Sequence, residues 1–278
     1  QPASHHRYRI TYFRDSSWMS RSGVSRPWTL QLPKMNNLTR QVFHVGVAAY
    51  YMVVTHWMKE NLLRNTKEDD IHDPVVKTLK RFSLRYLTNW TFTLQTTYFY
   101  IAVGGEVLAL FKGQEKIKER INQFKNYFFT VLVAPMALVV SIFFWGVWFV
   151  DRELIFPTVI DKFLPPWINH SLHTTTSLIV LLEMYLCFHK YPAFKPALLG
   201  ITLYLLLYSV CLLGTYFQSG IWLYPIFKML NWTLRILICL ATYILAIALY
   251  GAGYFLNKVL WDEKQTVKRA PRKKHKKH

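Results

Sequence analysis

A helix needs roughly 20 mostly apolar residues to cross a hydrocarbon core, and six stretches of this chain come close to that: 42–58, 86–111, 127–150, 167–187, 196–217 and 232–255. The first is the shortest and carries His44 and His56. The third has no formal charge, and Pro135 inside it predicts a kink. The fourth is polar in its first half, and the sixth holds Arg235 near its start, where a long aliphatic stem lets the charge reach the interface. Six such stretches separated by charged segments predict an all-α, polytopic membrane protein, a bundle of about six transmembrane helices. The organisation expected is a basic N-terminal segment (1–40), a six-helix domain (41–256) and a polybasic tail (257–278).

Charge sharpens this picture. The chain has 278 residues, 34 Lys and Arg against 15 Asp and Glu, and a formal net charge of +19. The basic residues lie between the apolar stretches, which excludes a basic nucleic-acid-binding domain. Three cysteines (Cys187, Cys211, Cys239), all in apolar surroundings, exclude a disulfide framework. With six spans, one side of the membrane collects 23 Lys and Arg and the other 10, which puts both termini in the cytoplasm. In the tail, Lys274 and Lys276 stand at the fifth and third positions from the end and match a retrieval address of endoplasmic-reticulum membrane proteins; the simpler alternative is attraction to anionic lipid. The endoplasmic reticulum is the expected location, with the plasma membrane as alternative. The sequons at Asn37, Asn89, Asn169 and Asn231 fall on the cytoplasmic side or in and near the membrane, so little glycosylation is expected.

Polar residues inside a span are costly and usually functional. The fourth stretch holds Asn169, His170, His173, Thr174, Thr175, Thr176 and Glu183. On a regular helix Asn169, Thr176 and Glu183 lie within about 80° of His173, while His170 turns about 60° the other way. The second stretch has a smaller stripe of Thr88, Thr91 and Gln95. Helices two and four start on the same side of a six-span bundle, and Thr88 and His173 lie at depths differing by about 6 Å. A threonine hydroxyl becomes a nucleophile when a neighbouring base takes its proton, and a histidine can then protonate the leaving alkoxide. Such a pair cleaves an ester, and burial in a bilayer favours a lipid ester. Two other readings stay open: metal or haem ligation by His170 and His173 with His56 as a third ligand, and a transporter or proton channel using Glu183, His173 and Glu106.

The run Asp151-Arg152-Glu153-Leu154-Ile155-Phe156-Pro157, followed by Pro165-Pro166-Trp167-Ile168-Asn169-His170-Ser171-Leu172-His173-Thr174, resembles the androgen-induced gene 1 / androgen-dependent TFPI-regulating protein family. The likeness continues through Glu183, Tyr191-Pro192 and Gly220-Ile221-Trp222-Leu223-Tyr224-Pro225, and covers roughly residues 80–260. It implies a multi-pass membrane hydrolase of fatty acid esters of hydroxy fatty acids, with a threonine nucleophile and a histidine base; no metal or cofactor is expected. The histidine falls on His173. The threonine falls on Thr88, seven residues before Gln95. The sequence departs from the family at Leu84, where the family has tryptophan; alignment on Trp90 instead brings Leu94 to the nucleophile position, with Thr91 and Thr93 as neighbours. Asp151 is a candidate to orient His173, and Gln95 and Asn169 are candidates to donate hydrogen bonds to an oxyanion. Trp167, Trp222 and Tyr224 read as an interfacial aromatic belt. A catalytically inactive binding or regulatory protein is the remaining alternative.

Overall fold

The computed structural model describes the backbone of residues 37–64 and 73–269, and side chains within 37–61 and 73–261. Most of the basic leader and the end of the tail, with Lys274 and Lys276, lie outside the described residues.

Every regular element among the described residues is helical. Helix α1 (Asn37–Trp57) passes into a π-helical turn (Met58–Arg64), and α2 (Pro74–Arg81) starts from the Asp73 carboxylate, which accepts the Val75 N–H. Helix α3 (Leu87–Leu110) follows a short 3-10 turn (Ser83–Arg85). Helices α4 (Glu115–Tyr127) and α5 (Ala134–Val150) form one continuous rod, Glu115–Val150, through a π-helical turn at Phe128–Val133. Helices α6 (Pro166–His170) and α7 (Thr176–Leu186) are likewise continuous through a π-helical turn at Ser171–Thr175. Helices α8 (Phe194–Ser219), α9 (Ile226–Met229) and α10 (Trp232–Arg269) complete the chain.

Three of these rods, Glu115–Val150, Phe194–Ser219 and Trp232–Trp261, are long and apolar enough to cross a membrane. The other three long segments, α1, α3 and the 166–186 rod, hold the inward-facing polar residues, which lowers their hydropathy. Outward residues of α8 and α10, such as Leu203, Leu206, Leu207, Ile236, Leu240 and Ile244, are exposed and apolar, a surface suited to lipid rather than water. Helices α1, α3, α5 and α7 pack around one core built on Tyr51, Tyr98, Phe99, Phe129, Ile168 and Val180. Helices α8 and α10 close the other flank against α5.

Three local expectations change. The charged segment between the second and third apolar stretches, which the span count treats as a connection, is a helix, because its residues are strong helix formers and Lys118 pairs with Glu115 one turn back, at 2.9 Å. The disturbance expected at Pro135 is met by the preceding π-helical turn, in which the Ala134 N–H bonds to Phe129 O five residues earlier. Trp222 is buried inside the fold rather than facing outward; the Arg235 guanidinium lies 4.6 Å above its ring and its Nε donates to Phe227 O at 2.9 Å, so Arg235 has a partner inside the fold.

Candidate active site

Tyr86 enters extended backbone and ends the 3-10 turn, so α3 begins at Leu87 and Thr88 stands in its first turn. The 166–186 rod starts after Pro165, with Pro166 at its first position, where its missing N–H costs no helix bond. These two starts meet at the same end of the bundle. Thr88 Oγ1 lies 3.2 Å from His173 Nε2.

The tautomer of His173 follows from its other nitrogen. Nδ1 lies 2.8 Å from Asn169 Oδ1 and 3.1 Å from Asn169 O. A backbone carbonyl only accepts, so Nδ1 carries the hydrogen whichever way the amide is turned. Nε2 is left with its lone pair toward the threonine hydroxyl, which donates. Asn169 and His173 are one turn apart, so the helix itself sets this contact. The imidazole is buried and stacks on Phe144 with ring centroids 3.5 Å apart and planes within 10°. Two hydrogen bonds and one stacked ring therefore fix the imidazole in position and plane.

The pair opens on a cavity of about 570 Å³ whose wall, mostly apolar, includes Thr88, Phe144, His173, Tyr208, Trp222 and Tyr224. This volume lies within the range of small-molecule sites. Tyr208 and Tyr224 reach the start of α3 from elsewhere in the chain. The Leu87 N–H donates to both phenol oxygens at 3.1 Å, and the two phenols lie 2.9 Å apart. One phenol donates to the other, which leaves a second phenolic hydrogen free of this cluster beside Thr88. Burial pushes the Tyr224 phenol up, so it keeps its proton and remains a donor.

Other sequence candidates lie elsewhere. Gln95 is buried two turns deeper, where its Oε1 accepts from the Tyr51 hydroxyl at 2.6 Å, and it does not line the cavity. Asp151 is exposed and caps the Arg152–Leu154 turn through the Glu153 N–H. It does not reach His173, whose Nδ1 is already held by Asn169. Asn169 itself faces His173 as an acceptor rather than as an oxyanion donor. Thr91 is buried with its hydroxyl unpaired, and Thr93 donates back to Asn89 O; neither contacts His173. His170 stacks on Trp145 and meets Thr174, and His56 is exposed, so they do not join His173 in one ligand set. The channel set also divides: Glu183 and Glu106 are joined through His44, while His173 is bonded to Thr88 and Asn169. Sequence reasoning missed Phe144, Tyr208 and the site position of Tyr224, which come from three segments with no shared periodicity.

The molecule is thus an all-α protein with helices long and apolar enough to cross a membrane. It belongs to the FAR-17a/AIG1-like protein family, whose model matches residues 39–258. Similar proteins include the androgen-dependent TFPI-regulating proteins of Rattus norvegicus, 32% identical over 82% of this chain and 95% of the relative, and of Mesocricetus auratus, 32% identical over 86% and 100%. The androgen-induced gene 1 protein of Homo sapiens is 29% identical over 66% of this chain and 80% of its own. No solved structure matches.

Proposed function

We propose that this protein is a six-span intramembrane hydrolase of lipid esters, in particular fatty acid esters of hydroxy fatty acids, with Thr88 as nucleophile and His173 as base. The observation that carries the reading is the 3.2 Å approach of Thr88 Oγ1 to a lone-pair nitrogen of His173 at the wall of an apolar cavity.

His173 Nε2 takes the hydroxyl proton as Thr88 Oγ1 attacks the ester carbonyl carbon. The tetrahedral oxyanion receives the free phenolic hydrogen of the Tyr208–Tyr224 pair, with the first-turn N–H groups of α3 adding their positive end. As the intermediate collapses, the ester C–O bond breaks and the imidazolium gives its proton to the departing oxygen of the hydroxy fatty acid. An acyl-threonine remains. Water, deprotonated by the same nitrogen, attacks it; the bond from Thr88 Oγ1 to the acyl carbon breaks, and Oγ1 recovers a proton from His173. A free fatty acid leaves and the starting state returns. Asn169 is a positioning residue: its carbonyls hold the imidazole in the productive tautomer. Phe144 fixes the ring plane and faces the transient imidazolium.

The substrate class fits the site's place. An ester that dissolves in the bilayer reaches an apolar cavity laterally, its scissile group in the cavity and the rest of its chains among the lipids. In a six-span bundle with cytoplasmic termini, Thr88 and His173 stand near the face opposite the termini. We place the protein in the endoplasmic reticulum on its lysine-rich tail. The test is hydrolysis of a palmitate–hydroxystearate ester by membranes containing the full chain. Thr88→Ala and His173→Ala each abolish cleavage at unchanged protein level, whereas Thr91→Ala does not. Cleavage that survives Thr88→Ala rejects the nucleophile. No cleavage by wild type under any condition favours the lipid-binding or transport alternatives.

A further inference from the structure

At the opposite end of the bundle the chain buries a second polar cluster. Glu183 and Cys187 are one turn apart at the end of α7, and His44 of α1 lies against both: His44 Nε2 is 3.0 Å from Glu183 Oε2 and 3.8 Å from Cys187 Sγ. His44, Glu183 and Cys187 present ligand-type atoms within 4.8 Å of one another, all from buried residues. His189 comes in from the segment just after α7, with Nε2 3.4 Å from Glu183 Oε1. Ten residues separate Glu183 from His173, which is about 15 Å along a helix, so this cluster is distinct from the Thr88–His173 pair.

Two features single it out. First, the buried His189 ring is short of hydrogen-bond partners: Nδ1 has none among the described residues, and Nε2 meets only Glu183 Oε1, at 3.4 Å. Its backbone is nonetheless pinned on both sides by Asn257, and its ring stacks on Phe129 at 4.1 Å. The fold thus holds a fully buried imidazole in place with Nδ1 unsatisfied and Nε2 only loosely held, a cost that calls for a partner. Second, the far side of His44 is already built. Nδ1 lies 2.8 Å from Glu106 Oε1, and Arg40 Nε bonds the same oxygen at 3.1 Å. A carboxylate on the second nitrogen is what orients a histidine that ligates metal through the first.

We infer that His44, Glu183 and Cys187 form a zinc site that ties α1 to the end of α7, with His189, close to Glu183, turning onto the ion as the fourth ligand. Two imidazoles, a thiolate and a carboxylate suit Zn²⁺. About His44 Nε2 the separations of 3.0 Å to Glu183 Oε2 and 3.8 Å to Cys187 Sγ are near the edges of a tetrahedron with bonds of about 2.0–2.3 Å, and His189 Nε2 stands 3.4 Å from the other carboxylate oxygen. With four protein ligands the ion has no open position, so its role is to hold the helices together.

The test uses the full chain purified in detergent, without an affinity tag of histidines. Metal analysis should find one zinc per chain. Exchange for Co²⁺ should give tetrahedral d–d bands and a thiolate-to-cobalt charge-transfer band. The thiolate band separates this site from histidines near the chain ends. Cys187→Ser should remove the charge-transfer band, His189→Ala should lower zinc affinity, and Glu106→Gln should lower it roughly tenfold to a hundredfold. His56→Ala, at an exposed position, should change nothing. If the variants fail to fold, the wild-type cobalt spectrum decides alone. A folded wild-type chain that retains no zinc and shows no thiolate–cobalt band overturns the site, as does a band that survives Cys187→Ser. Ester hydrolysis is measured in parallel. Its loss without loss of zinc tells against the hydrolase reading alone.

Discussion

Asn169→Ala probes the proposed site without touching the reacting atoms. The substitution removes Oδ1 from His173 Nδ1, a 2.8 Å contact, and leaves the backbone carbonyl at 3.1 Å to hold the same hydrogen. In the resting enzyme the lost bond is between neutral groups and is worth about 0.5–1.5 kcal/mol. In the transition state the ring becomes an imidazolium, and hydrogen bonds to charged groups are worth about 1.5–3 kcal/mol. The difference falls on the chemical step. That difference, about 1–1.5 kcal/mol, lowers kcat by roughly fivefold to tenfold. Asn169 does not line the cavity, so KM should stay within about twofold of wild type. The assay is steady-state hydrolysis of a fluorogenic long-chain ester in proteoliposomes. Two results refute the reasoning: a loss equal to that of His173→Ala, which makes the backbone carbonyl irrelevant, or a rise in KM at constant kcat, which makes Asn169 a substrate contact.

Further outcomes follow from the same geometry. Replacing both site phenols, Tyr208→Phe with Tyr224→Phe, removes the hydrogen assigned to the oxyanion, and kcat should fall roughly a hundredfold to a thousandfold, read in the same liposome assay. Phe144→Leu keeps an apolar wall but removes the ring stacked at 3.5 Å on His173; kcat should fall at least tenfold, with KM little changed, if ring placement matters to the base. Gln95→Leu leaves the buried Tyr51 hydroxyl without its acceptor, which should cost about 1–3 kcal/mol of stability. This shows as a lower thermal midpoint in detergent, with hydrolysis at low temperature retained.

Much of the architecture was legible in the sequence because lipid leaves few choices. Apolar length alone located the helical rods, and counting spans placed Thr88 and His173 at one end. The family likeness named the pair, and depth made their meeting physically reasonable. What it did not reveal is side-chain direction. The helical wheel put Glu183 on the face of His173, yet ten residues, about 15 Å along a helix, separate the two. Glu183 therefore joins His44 and Tyr98 instead. Asp151 was attractive as an acid at the end of the third stretch, but a carboxylate followed by a free N–H two residues on caps its own turn first. Tyr208 and Tyr224 reach the start of α3 from more than a hundred residues away, and nothing in local spacing announces such a contact. Helix α4 was passed over because its charges marked it as a connecting segment, although Ile117, Ile121 and Phe124 recur at helical spacing.

The central claim is that Thr88 carries the acyl group. Membranes containing the full chain should be treated with a lipid-like fluorophosphonate, which traps an activated hydroxyl, and the modified residue mapped by peptide mass spectrometry. The account predicts a single adduct on Thr88, blocked by excess ester substrate and absent from His173→Ala. An adduct on another residue, or full ester cleavage by a protein that takes no label at Thr88, would contradict it.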